Sequence, residues 1–263
     1  MSLAKNEAMR ARLLVTPDLE TAKAALAEEK SVENWYNYGM ALVSAGKSEE
    51  AINAYSEGLV EYPFAPMLYF GRGRRYIGPK LYDRAIADFT MSIRLDPEVY
   101  SYWYYRAVSN NLAGNYEAAI YDFRRAMEQT QPFERYGLID WQFTSYVEMG
   151  DMEKAKAVLD EIGDDLPAPQ MHYGYKRRVR LYKGLISPEE FIDVEDIKKH
   201  LIKQDNRLQL EITTLLFGLY IYYIYKGEEE KANETLLEIL KDPYKGAFGA
   251  IKAEDAAKAR GLI

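Results

Sequence analysis

The sequence predicts an all-α protein, a solenoid of antiparallel helix hairpins, and three observations lead to this fold class. Aromatic and small residues recur with a period of 34 through the first half of the chain. Glycine-containing turns divide each period into two segments of helical length, and prolines follow the second segment. A hairpin of this kind cannot bury its apolar stripe alone, so consecutive hairpins are expected to stack.

The period is carried by four columns of residues when the chain is aligned on itself at a shift of 34. An aromatic and a small residue four positions apart share one face of a first helix, and an alanine lets the second helix approach closely. The columns are Trp35, Tyr69 and Trp103; Gly39, Gly73 and Ala107; Ala51, Ala85 and Ala119; and Tyr55, Phe89 and Phe123. With Gly46 and Gly114 at turns and Pro63 and Pro97 after second helices, this pattern resembles the tetratricopeptide repeat family. The resemblance implies a right-handed superhelical solenoid.

The elements follow in chain order from this register. Two short helices are expected at about 5–15 and 18–30, before three repeats that keep the period. A fourth repeat begins near Tyr136, a degenerate unit turns at Gly184, and the last repeat turns at Gly227. The predicted organisation is a helical segment at 1–31, four repeats at 32–167, a degenerate repeat with an insertion at 168–212, and a last repeat with a capping helix at 213–263.

The last repeat opens with TTLLFGLYIYYIY, which is apolar nearly all round. Such a helix needs cover on more than one side, and we expect a terminal helix at 248–260 to supply it. A homodimer contact through this repeat is the alternative to a monomer. The apolar run is shorter than the roughly 20 residues that cross a bilayer, so we expect no membrane span.

The stretch YFGRGRRYIG at 69–78 has three possible interpretations. It resembles a phosphate-cradling loop and also a basic, aromatic box for nucleic acid. Because Tyr69 and Gly73 occupy repeat columns, we interpret it as the first helix of the second repeat, with local anion capture by its arginines left open. No packing reason for Gly71 is evident in the sequence.

Two arginines stand where the family usually has leucine, on the interior side of the hairpin. Asp88 follows Arg72 by 16 residues, Asp122 follows Arg106 by the same interval, and the first repeat lacks both partners. A buried guanidinium needs a carboxylate, so the spacing predicts two structural ion pairs within hairpins. Ligand binding by these arginines is the alternative.

The resemblance also implies a concave, peptide-binding groove lined by first helices. The positions it assigns to the groove are Tyr36, Met40, Phe70, Arg74, Tyr104 and Val108, with Arg178 as a further cation. Recurrent aromatics beside arginine are typical of interaction hot spots, although packing between neighbouring first helices would use the same residues. The family's carboxylate-clamp positions carry neither Lys nor Asn here, which argues against that form of chaperone-tail recognition.

Chemical motifs are absent from the sequence, which argues against an enzyme. The chain has no cysteine, and His172 and His200 lie 28 residues apart without metal-ligand spacing. A net charge of −7 disfavours nucleic acid as a partner. We expect a non-catalytic protein–protein interaction scaffold without cofactors that binds a protein or peptide; a small-ligand-sensing regulator or enzyme-associated adaptor is the alternative. No signal peptide is evident, although MSL could replace a native leader, so we expect a cytoplasmic location.

Overall fold

The computed structural model describes residues 4–9, 16–164, 166, 172–200, 207–241 and 243–263. Within these ranges every regular element is a helix, which confirms the all-α class. The chain divides into two compact units, Met1–Thr130 and Gln131–Ile263. None of the described helices combines the length and apolar content that a membrane span requires.

Unit 1 consists of an N-terminal helical segment and three helix hairpins. Its helices are α1 at 4–9, α2 Leu19–Glu28, α3 Val32–Ser44, α4 Ser48–Glu61, α5 Pro66–Ile77, α6 Tyr82–Leu95, α7 Tyr100–Leu112 and α8 Tyr116–Met127. The hairpins are α3–α4, α5–α6 and α7–α8, and the first helices of successive hairpins pack on one another. Part of the first predicted helix, at 10–15, lies outside the described residues.

The turns between paired helices need a left-handed residue. Gly46 and Gly114 adopt φ values of 76° and 82°, as the sequence predicts. Lys80 takes the same place in the second hairpin with φ 61°, and the amide after it closes the same backbone hydrogen bond as the amides that follow the two glycines. A side chain in this conformation is strained, so the second turn is expected to be less stable than the other two.

The arginine-rich stretch belongs to α5, so the loop interpretation is wrong. The ring of Tyr55, from α4, inserts between α3 and α5. A Cβ on Gly39 would come within 2.3 Å of that ring, and one on Gly71 within 2.7 Å. Gly71 therefore has a packing reason that comes from the preceding repeat.

Unit 2 departs further from a regular repeat. Its elements are a 3-10 helix at Pro132–Glu134, α9 Arg135–Glu148, α10 Met152–Leu159, α11 Tyr173–Tyr182, α12 Pro188–Phe191, α13 Val194–His200, α14 Arg207–Lys226, α15 Glu229–Lys241 and α16 Phe248–Ala259. The pairs α9–α10 and α14–α15 turn at Gly150 and Gly227, both with positive φ, and α11 ends before Gly184. The repeat boundaries at 167 and 212 stay predictions.

The core of unit 2 forms around α9 and α14. Every residue of α9 from Tyr136 to Val147 is buried. α16 packs against α14 so closely that a Cβ on Gly249 would lie 2.8 Å from Phe217. The expected cover of α14 by the terminal helix is confirmed.

Candidate functional site

Both predicted arginine–aspartate pairs are present in unit 1, each within one hairpin. Nε and Nη2 of Arg72 donate to the two carboxylate oxygens of Asp88, both at 2.8 Å. Arg106 binds Asp122 in the same bidentate way at 2.8 and 2.7 Å. Burial raises the pKa of both carboxyl groups, and the facing guanidinium offsets part of that rise. These arginines have their charge neutralised inside the fold.

The remaining guanidinium nitrogen of each pair reaches the preceding repeat. Nη1 of Arg72 donates to Ser56 Oγ on α4, and Nη1 of Arg106 donates to Thr90 Oγ1 on α6, both at 3.1 Å. Each hydroxyl precedes its arginine by 16 residues. Each arginine thus bridges the second helices of two consecutive hairpins and stabilises their stacking.

A third buried pair lies in unit 2. Arg178 Nε is 2.9 Å from Asp140 Oδ1, with side chains 2% and 0% exposed, and it donates to Tyr182 Oη at 3.1 Å. Burial raises the pKa of Asp140 to about 6, and Arg178 and Tyr182 offset part of the rise. The prediction that Arg178 is a solvent-facing groove cation is wrong, because its charge is committed to a buried carboxylate.

Most side chains assigned to the groove are also buried. Tyr36, Met40, Phe70 and Val108 belong to the core of unit 1. Tyr104 is half-buried, since it stacks on a neighbouring ring one helical turn earlier. For these four buried residues the structure therefore shows the packing that the sequence left as the alternative, and a role of the aromatic column in partner binding stays a prediction.

Phe70 shows that aromatic residues of the first helices pack between neighbouring hairpins. Its ring packs 5.2 Å from Tyr102 and 5.4 Å from Tyr105, so it joins α5 to α7. The guanidinium carbon of Arg74 lies 5.5 Å from the centre of the Phe70 ring and 5.0 Å from that of Tyr105. This is the cation–π distance range, and it holds Arg74 at the half-buried rim of the aromatic packing.

Arg74 and the next residue, Arg75, lack the neutralisation that the paired arginines have. Among the described residues neither forms an ion pair, and Arg74 Nε is buried without a hydrogen-bond partner. Burial and then the charge of Arg74 lower the pKa of Arg75, which still stays a cation. The other groups that act most strongly on Arg75 are the phenols of Tyr55, Tyr105 and Tyr36, and none of them is a carboxylate.

The two arginines and the surrounding rings form what we call the arginine–tyrosine cluster, defined as Tyr36, Tyr55, Phe70, Arg74, Arg75 and Tyr105. The rings of Tyr36 and Tyr55 lie 6.1 Å apart, and Tyr55 Oη is buried without a partner among the described residues. Burial raises the pKa of Tyr55, so its hydroxyl is neutral at pH 7 and can donate a hydrogen bond.

Sequence reasoning named only part of this cluster. It missed Tyr55, Arg75 and Tyr105, and it placed Arg178 with them although that residue belongs to unit 2. The sequence does contain a signal that could have identified Arg74 and Arg75 as unpaired. Position 90, sixteen residues after Arg74, is Thr, and position 91, sixteen residues after Arg75, is Met. The offset that finds a carboxylate for Arg72 finds none for these two.

Comparison with known proteins bears on the repeated hairpins. Tetratricopeptide repeat models match residues 70–132 and 32–59. The chain is a tetratricopeptide repeat protein. A solved tetratricopeptide repeat protein from Parabacteroides merdae shares the fold, with a TM-score of 0.57 and 17% identity over 86% of this chain and 85% of the other.

Curated relatives of this tetratricopeptide repeat protein are longer than the matched segment. Serine/threonine-protein phosphatase T of Aspergillus oryzae is 28% identical over 54% of this chain and 30% of its own length. Human serine/threonine-protein phosphatase 5 is 29% identical over 36% of this chain and 19% of its own length. The chain spans less than a third of these phosphatases.

The family assignment supports a role as a protein–protein interaction scaffold, and this fold is typically non-catalytic. In the part of the chain that the structure describes, no group of three His, Asp or Glu side chains is placed to hold a metal ion. The arginine–tyrosine cluster is nevertheless suited to binding an anion, because it has positive charge and hydrogen-bond donors but no carboxylate of its own among the described residues.

Proposed function

We propose that this protein holds a partner polypeptide on one face of unit 1, the face formed by α3, α5 and α7, and that Arg74 anchors an acidic group of the partner. The observation that carries the proposal is the lack of any carboxylate partner for Arg74 and Arg75 among the described residues. Burial disfavours a charge, and the neighbours that offset this for Arg74 are neutral phenols, so a binding protein that supplies an anion gains affinity from it.

The composition of the cluster supports binding at this place. Arginine and tyrosine are enriched among the residues that dominate binding energy, and rigid aromatic rings lose little conformational entropy on association. The Arg74 guanidinium packs against the neighbouring rings of Phe70 and Tyr105, so it loses little freedom when a partner binds. Half-buried Tyr104, on the next first helix, is proposed as a neighbouring contact.

The paired arginines do not take part in this proposed surface. The guanidinium groups of Arg72 and Arg106 donate their hydrogen bonds to carboxylates and hydroxyls within unit 1. Buried Tyr36, Met40, Phe70 and Val108 are proposed to support the face from beneath. Their truncation would lower stability as well as binding, so they are poor choices for a functional test.

The test is selection of peptides from a random library on the full chain. We expect enriched peptides to carry Asp or Glu, and their binding to the Arg74→Met variant to weaken at least about tenfold. The matched control is Arg94→Met, which removes the same charge from an exposed position on α6. Thermal denaturation of both variants checks that the fold is kept.

Two results would overturn the proposal. One is a selection that enriches no peptides. The other is a set of enriched peptides that bind the Arg74→Met and Arg94→Met variants equally well, because the partner would then sit elsewhere on the chain.

A further inference from the structure

We infer that the arginine–tyrosine cluster takes a phosphate group, presented by a phosphorylated residue of the partner. The inference rests on the proposed function, because it assigns a chemical class to the anion that Arg74 anchors. It adds a preference over a general acidic peptide, namely for two negative charges on one group.

The cluster carries two positive charges. Arg74 and Arg75 are consecutive residues of α5, and the phenols of Tyr36, Tyr55 and Tyr105 lie near enough to act on the pKa of both. No carboxylate among the described residues neutralises either of them. A single carboxylate would neutralise one charge, whereas a phosphomonoester carries about −1.5 to −2 at pH 7. A phosphate matches the local charge of two arginines.

The cluster also supplies hydrogen-bond donors. Arg74 Nε and Tyr55 Oη are buried and unpartnered among the described residues. An unpaired buried donor is costly, and fully buried Tyr55 carries this cost while Arg74 and Arg75 act on it electrostatically. Phosphate offers three acceptor oxygens, enough to engage a guanidinium and a phenol hydroxyl together.

The guanidinium groups of the cluster are accessible from solvent. Arg74, Arg75 and Tyr105 are each only half-buried, so an anion from solvent can reach the guanidinium groups. The deeper Tyr55 is fixed between the two glycines that make room for its ring, so its hydroxyl is pre-organised. Half-buried cations that act on one fixed, neutral phenol suit a terminal oxyanion.

The neighbouring Arg72 provides an internal contrast. It lies two residues before Arg74 on the same helix, yet its three donating nitrogens already meet Asp88 and Ser56. An added phosphate would have to displace that carboxylate. The cluster therefore differs from the Arg72–Asp88 pair because its arginines have no carboxylate to displace. A phosphate site requires positive charge of this kind.

The experiment is calorimetric titration of the full chain with phenyl phosphate at low ionic strength. Inorganic phosphate and phenylacetate are titrated in parallel, which separates the phosphorylated residue from the free ion and from a carboxylate. We expect phenyl phosphate to bind most tightly, with affinity rising about tenfold from pH 5 to pH 7 as the second proton, with a pKa of about 6, is lost.

Variants locate the bound phosphate. Arg74→Met and Arg75→Met are each expected to weaken phenyl phosphate binding at least about tenfold, and Arg94→Met to leave it unchanged. Tyr55→Phe removes only the buried hydroxyl, so it should keep the fold while weakening binding. This variant keeps the test decisive if an arginine variant loses stability.

The outcomes separate this inference from the proposed function. Absence of phenyl phosphate binding, or equal binding by Arg74→Met and Arg94→Met, overturns the inference. Tighter binding of phenylacetate makes the cluster a carboxylate site, and equal or tighter binding of inorganic phosphate makes the free ion its ligand; either result also overturns it. Selected peptides that need Arg74, together with no phenyl phosphate binding, would keep the proposed function and reject the phosphate.

Discussion

Arg72 and Arg74 lie two residues apart on α5, and their surroundings are opposite. Arg72 meets a bidentate carboxylate and a hydroxyl of the preceding repeat. Arg74 meets two aromatic faces and has a buried Nε without an acceptor. Two residues of the same type therefore have different roles in this fold, and the presence of a nearby carboxylate determines the role. An arginine with a carboxylate partner joins repeats, and one without is available to a binding partner.

Arg178 in unit 2 extends the comparison to full burial. It shares the pairing of Arg72, but both its side chain and that of Asp140 are almost inaccessible. The three arginines form a series from buried and paired to half-exposed and unpaired. The loss of stability on removing a charged partner should therefore be largest for the fully buried pair and smaller for the more exposed ones.

The largest effect is expected from Asp140→Ala in unit 2. This change leaves the Arg178 charge buried without a partner, which should lower the free energy of unfolding by about 3–5 kcal/mol. Urea denaturation measures it. The matched control is the double variant with Arg178→Met, which should recover much of the loss; a double variant as unstable as the sum of the single changes would show that the two residues do not act as a pair.

A smaller loss is expected from Asp122→Ala in unit 1. Arg106 keeps 17% of its side chain exposed, so water relieves part of the unpaired charge. We expect a loss of about 2–3 kcal/mol, again reduced when Arg106→Met is added. If Asp122→Ala costs more than Asp140→Ala in the same urea titration, burial does not rank these pairs.

Gly71→Ala tests the aromatic support of the unpaired arginines. A methyl group at 71 would meet the Tyr55 ring, so overpacking should cost about 1–3 kcal/mol despite the better helix propensity of alanine. The control repeats the change in a Tyr55→Leu background, where the ring is gone. The glycine-to-alanine change should there become neutral or stabilising, and an unchanged cost would mean that something else crowds this position.

The smallest effect concerns the turn of the hairpin that carries both kinds of arginine. Lys80 has positive φ where the neighbouring hairpins have glycine. Lys80→Gly should stabilise the protein by roughly 0.5–1 kcal/mol because it removes this conformational strain. Thermal denaturation detects it, with Gly114→Lys as the reciprocal change of opposite sign. A destabilised Lys80→Gly variant would show that the lysine side chain outweighs the backbone strain.

Much of unit 1 could be predicted from sequence because its period is regular. The offset of 16 residues identifies Asp88 as the neighbour of Arg72, since that interval spans one hairpin. The same regularity identifies Gly46 and Gly114 as left-handed turns. What it could not give is the reason for Gly71, because the ring that fills its space comes from another repeat.

The candidate site was less predictable for two physical reasons. Family positions specify which side of a helix a residue occupies, but the burial of Phe70 depends on large rings contributed by α7. Arg178 meets Asp140 at a separation of 38 residues, which the 34-residue period does not produce. In unit 2 the period is lost, so the residue that pairs with a given arginine depends on tertiary packing and cannot be found from a fixed spacing.

The comparison of these arginines predicts that Arg72 stabilises the fold and that Arg75, beside Arg74, does not. The most direct measurement is the free energy of unfolding of Arg72→Met and Arg75→Met by urea titration under the same conditions. Arg72→Met should lose about 2 kcal/mol because Asp88 is left buried without its cation. Arg75→Met should be as stable as the unmodified protein, or more stable, since it removes an unneutralised charge. Equal losses in the two variants would contradict the account.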